Sequence, residues 1–247
     1  MKAVKAATIL GGALLMAACN LIAGAREGDE AKAGPSVRKD YQVASFDRVS
    51  LAGSHNVVVT VGAAASVRAE GDAETLERLE IKVENGVLHV GSKHGKGKWF
   101  SDKGHRSATI YVTAPAISAA SIGGSGDMRI DKVEGDRFAA SIGGSGDMEI
   151  GSIKVGDAAF SIAGSGNIRG SGTAQSASIS VAGSGDIGLQ DLEARRATIS
   201  VVGSGDIRAK AMETADVSVM GSGDVELAGP AKCNVNKMGS GDVRCTG

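Results

Sequence analysis

Ser121-Ile122-Gly123-Gly124-Ser125-Gly126-Asp127-Met128-Arg129-Ile130 decides the fold, because the chain goes on repeating it. A short apolar run followed by Gly-Ser-Gly-Asp (once Asn) returns seven times. Its last residue falls at Asp127, Asp147, Asn167, Asp186, Asp206, Asp224 and Asp242, in steps of 20, 20, 19, 20, 18 and 18 residues. A fixed period of this length marks a solenoid. Within each copy the side chains sort by parity: Ala197, Ile199 and Val201 fall on one side, Thr198, Ser200 and Val202 on the other. Alternation with period two is a strand signal. A helical solenoid needs roughly 30 or more residues per repeat and a 3.6-residue period. The pattern therefore predicts an all-β, single-stranded parallel β-helix of about 18–20 residues per coil, each coil built from two or three short strands and corners. Glycine supplies positive φ and close approach at the corner, while Ser and Asp bond neighbouring backbone amides there.

Composition agrees with one solenoid domain. Glycine contributes 37 of 247 residues and aromatics only 3%, which suits narrow coils filled with Ala, Ile and Val. The formal net charge of −1 gives no electrostatic support for nucleic-acid binding.

Upstream of the repeats the chain changes character three times. Residues 1–18 read as a signal peptide: Lys2 and Lys5, then an apolar run from Ala6 to Ala18, too short to span a bilayer. Leu15-Met16-Ala17-Ala18-Cys19 resembles a bacterial lipobox, which makes Cys19 the expected lipidation site and membrane anchor; cleavage after Ala25 is the alternative. Residues 19–40 are polar and pattern-free and read as a flexible tether. The β-helix domain is expected over 41–247, with irregular coils and a cap over 41–118 and the repeats over 119–247.

In that irregular part, Gly53-Ser54-His55-Asn56 reads as a decayed copy of the turn. Asp72 to Leu79 reads as the one short helix, N-capped by Asp72 and suited to closing an open end. Ile81 to Val90 reads as a hairpin around Asn85-Gly86. Residues 93–106 are basic and hold the only tryptophan. Lys96, Lys98, Trp99, Phe100, Lys103 and Arg106 form either a solvated loop or a contact loop for an anionic glycan or phosphate, with Trp99 as a stacking platform.

Stacking places equivalent residues in columns about 4.8 Å apart. Ser121, Ser141, Ser161, Ser180, Ser200 and Ser218 make an outward column that ends in Asn236; a close-stacked face tolerates it, and it is compatible with sugars. Carboxylates repeated at such spacing repel by about 1 kcal/mol per step even in water. The Asp column therefore needs backbone N–H donors, basic neighbours or a bound cation, and Asn167 favours turn capping over Ca²⁺. Two residues on, alternating signs predict ion ladders Arg129–Glu149–Arg169 and Arg208–Glu226–Arg244. Val202, Met220 and Met238 predict an exposed apolar patch for a partner or a second copy, unless the terminal segment covers it. Cys233 and Cys245 take inward positions of the last coil and predict a disulfide, with two buried thiols as the alternative.

The lipobox, the tether, Phe46-Asp47-Arg48-Val49, the valine-rich strand and the serial Gly-Ser-Gly-Asp together resemble the putative auto-transporter adhesin head GIN domain family over residues 41–247. That resemblance implies a parallel β-helix in a bacterial envelope protein. The expected function is a non-enzymatic lipoprotein, outer-membrane by the residue after Cys19, that presents a rigid β-helix for adhesion or binding of surface glycan or protein. A structural, self-associating envelope component is the alternative. A polysaccharide lyase or hydrolase shares the architecture but needs a non-repeated cluster of acids or bases. No catalytic residue, metal or cofactor is expected.

Overall fold

The computed structural model describes residues 36–62, 64–93 and 107–247. The signal peptide, Cys19 and the candidate loop residues Lys96, Lys98, Trp99, Phe100, Lys103 and Arg106 lie outside the described residues. In chain order the elements are β1 (Val37–Tyr41), β2 (Arg48–Gly53), β3 (Asn56–Val61), β4 (Ser66–Gly71), α1 (Ala73–Arg78), β5 (Leu79–Glu84), β6 (Val87–Ser92), β7 (Thr109–Ala114) and β8 (Ala119–Gly124). Then come β9 (Met128–Gly144), β10 (Met148–Gly164), β11 (Ile168–Gly183), β12 (Ile187–Gly203), β13 (Ile207–Gly221), β14 (Val225–Ala228), β15 (Lys232–Gly239) and β16 (Val243–Thr246).

From β8 onward each strand pairs in parallel with the equivalent strand one repeat later, so the fold is the expected parallel β-solenoid. Ile122, Ile142, Ile162, Val181, Val201 and Val219 line up as one interior column, each 2% exposed or less. Burying each such side chain contributes about 1.5–3 kcal/mol. One expectation needs correcting: the coils are not sets of short strands. β9 to β13 run 15–17 residues without a break, because the corners between turns keep their hydrogen bonds to the coils on either side. The bends are absorbed by register shifts instead, as between Ile150 and Ile153 or Leu189 and Glu193.

The N-terminal part holds a change of order that the repeats conceal. β2 and β3 form a coil that pairs on one side with β8 and β9. On the other side it pairs with β6 and β7, which come later in the chain. The stack thus begins with β6–β7, continues with β2–β3, and only then enters the repeats. Beyond β6 and β7 the pairing turns antiparallel: β5 joins β6 in a hairpin, and β4 joins β7 with β1 at its edge. The hairpin turn has φ of 51° at Asn85 and 75° at Gly86, as an Asn-Gly type I′ turn requires. α1 has the anticipated cap, the Asp72 carboxylate accepting from the Thr75 N–H at 2.9 Å, and it buries Leu76. Residues 37–40, which the sequence assigns to the tether, belong to β1; their pairing with β4 is non-local and leaves no periodic signal.

Candidate binding face

The turn fixes where every outward side chain stands. The first glycine of each copy has positive φ, 147° at Gly164. A methyl group on Gly166 would lie 2.0 Å from the carbonyl oxygen of Gly146. Nothing larger than hydrogen fits between stacked turns. The Asp column answers its own repulsion: the backbone N–H of Asp147 donates to the Asp127 carboxylate at 3.0 Å. The same bond recurs from Asn167 to Asp147, Asp206 to Asp186, Asp224 to Asp206 and Asp242 to Asp224, all at 2.8–2.9 Å. Asn56 and Asn167 take the acceptor role with longer bonds, 3.3 Å, to Asp127 and Asp186. The column is a capping ladder, each side chain holding the turn of the next coil. Among the described residues no three His, Cys, Asp or Glu are arranged to hold a metal ion.

With the turns in register, one flank of the solenoid presents three outward rows. The central row is Ser50, Ser121, Ser141, Ser161, Ser180, Ser200 and Ser218, each opposite the next. The sequence missed its N-terminal extension: Ser50 pairs with His89, and His89 with Lys82. There the row enters a groove of about 400 Å³ that also takes in Glu80, Gly91 and Ser92. Alanines such as Ala139 and Ala159 stand on one side of the serines, and Gly143 and Ala163 on the other. The face is therefore nearly flat in its middle. Toward the C-terminus the second flanking row grows into Val202, Met220 and Met238, exposed by 50%, 54% and 68%. No described segment covers them.

The predicted ion ladders are only half formed. Arg129 binds Glu149, and Arg208 reaches Glu226 at 3.7 Å. Arg169 lies opposite Glu149 in register but makes no ion pair with it, and Arg244 binds its own turn residue Asp242 at 3.5 Å. A long guanidinium stem takes the nearest carboxylate, and register alone does not choose it. Pairs at the far corner went unanticipated, Arg195 with Glu213 at 2.5 Å and Lys210 with Glu193 at 3.2 Å. Cys233 and Cys245 form a disulfide with Cα atoms 6.7 Å apart. Beyond the alanine row, an open concavity of about 730 Å³ is lined by Asp47, Ser118, Glu134, Asp136, Arg137 and Asp157. In it Ser118 donates to Asp47 at 2.5 Å, and Arg137 pairs with Asp157 at 3.4 Å.

The family model described as "Putative auto-transporter adhesin, head GIN domain" matches residues 45–231. The chain belongs to that family. A crystal structure described as a putative adhesin from Bacteroides fragilis is similar with a TM-score of 0.76 at 23% identity, over 86% of this chain and 97% of that one. A putative lipid binding protein from Parabacteroides distasonis gives 0.70 at 24% identity over the same shares of the two chains. A putative adhesin from the same organism gives 0.70 at 19%. At these identities the likeness establishes the fold alone. The search of curated proteins found no match. No described helix of this head GIN domain protein is long and apolar enough to cross a membrane.

Proposed function

We propose that this head GIN domain protein is a non-enzymatic cell-envelope protein, anchored by lipid on Cys19, that offers its flat flank for adhesion to a surface glycan. The observation that carries the reading is the unbroken row from Lys82 and His89 through Ser50 to Ser218, with small side chains on both sides of it from Ser121 to Ser180. Hydroxyls at a regular spacing with nothing rising above them suit an extended, hydroxyl-rich chain lying along the solenoid. The family's description as an adhesin points the same way.

A glycan array probed with the mature protein and with Ser161→Arg and Ser180→Arg tests this. Each arginine would stand in the middle of the face while its backbone keeps its partners. The wild type should bind a subset of glycans, and each variant should lose at least about tenfold in affinity, the cost of a few displaced hydrogen bonds. Equal binding by wild type and variants contradicts the flank as the site. A second reading, self-association in the envelope, draws on the exposure of Val202, Met220 and Met238. An absence of glycan binding together with oligomers that Met220→Lys dissolves would favour it.

A further inference from the structure

The interior column that runs through Ile122, Ile142, Ile162, Val181, Val201 and Val219 has a seventh member, and it is not apolar. Val219 pairs in register with Lys237, so a lysine stands where every earlier coil places a branched aliphatic residue. Its neighbours in β15 keep the pattern: Ala215 is followed by Cys233 and Val217 by Val235. The exception is therefore a substitution within a maintained register, with no slip of the strand.

The lysine stands at an exposed edge. β15 pairs only with β13, and β16 only with β14, among the described residues. Among the described residues no strand pairs with their other side, and Val235, an interior residue by register, is 44% exposed. An edge of stacked strands over an open apolar interior is a template for another edge of the same kind. The N-terminal end is built differently, with α1 packed beside it and the antiparallel strands β1 and β5 as its edges in place of a parallel coil. The partner that fits is thus the same end of a second copy. An interior-facing lysine defeats that fit. The Lys237 ammonium sits 3.9 Å from the Asp242 carboxylate, a residue with no further coil among the described residues to donate an amide to it. Joining two such ends would shut both ammonium groups between apolar interiors and strip them of water, which an ion pair half in solvent does not offset.

We propose that Lys237 is an end-stop, a charge placed in the core column to keep the C-terminal coil from joining the C-terminal coil of a second copy. Sedimentation velocity over a range of concentrations tests it, with the wild type, Lys237→Val, Lys237→Ile and Lys237→Arg. The β-branched variants should form dimers at concentrations at least about tenfold lower than any self-association of the wild type, because the buried charge is gone. Lys237→Arg, which keeps the charge, should behave as the wild type. Adding Met220→Lys to Lys237→Val should leave the dimer intact, because the contact is at the end and not on the flank. The proposal is overturned if all four proteins sediment alike, if Lys237→Arg associates as Lys237→Val does, or if Met220→Lys abolishes the dimer. Loss of β circular dichroism in both aliphatic variants would also overturn it, since the position would then not be an ordinary member of the column.

Discussion

A single substitution inside the turn motif shows how the turn works. In every repeat the residue before Asp or Asn is glycine, and a Cβ there would strike the carbonyl of the turn before it, 2.0 Å away for Gly126 over His55. That clash direction means a side chain at this position points toward the preceding coil. In the copy at 53–56 the position is held by His55, and toward the preceding coil lies the meeting of β6 and β7. The imidazole fills that space at 5% exposure. Its Nδ1 accepts from the Ala108 N–H at 3.2 Å, so the neutral ring carries its proton on Nε2 and donates to the Ser92 hydroxyl at 3.1 Å. Burial pushes its pKa below the ordinary 6.5. The folded state then holds fewer protons on His55 than the unfolded chain wherever pH lies between the two values, so stability falls as pH drops through 6.5 and levels off below the folded pKa. Urea midpoints measured from pH 7.5 to pH 5 should therefore decline more steeply for the wild type than for His55→Gln. Parallel declines would show that His55 is not the group responsible.

At the scale of elements, what the sequence discloses depends on whether the relevant pairing is periodic. The coil length, the inward and outward parity, the Asn85-Gly86 hairpin and the Asp72-capped helix are local signals, and each stands where the residues place it. The insertion of β2–β3 between β6–β7 and β8–β9 is a non-local parallel pairing between unlike segments, which no spacing encodes. The candidate face was half legible: the six repeat serines are plain, but their continuation through Ser50, His89 and Lys82 needs that hidden order. Lys237 and His55 were both readable, the first as a charge at an inward parity position, the second as a side chain in a glycine slot. The ion ladder is the element-scale case where register sets the opportunity and side-chain reach decides. Glu149→Arg would place three arginines opposite one another, at 129, 149 and 169. Cross-strand charge pairs are worth about 0.2–1 kcal/mol each and like charges cost similarly. Glu149→Arg should thus lower the melting temperature by clearly more than Glu149→Ala does in calorimetry. Equal shifts would mean that the pair with Arg129 adds nothing to register.

Across the whole domain the same few facts recur at each level: glycine turns that permit contact, a capping side chain that binds the next turn, and an interior column that stays apolar until Lys237. Together they make a solenoid whose coils advance by one strand spacing each, and the flat face is a consequence of that constancy. Four steps separate Ser125 from Ser204 and six separate Ser125 from Ser240, all exposed turn serines. At about 4.8 Å per step the spans are about 19 Å and about 29 Å. Double electron–electron resonance between spin labels at 125 and 204, and at 125 and 240, measures them. Stacked turns predict two narrow distance distributions whose means differ by about 10 Å, two strand spacings. Broad distributions, or equal means, would contradict the stack on which the proposed binding face rests.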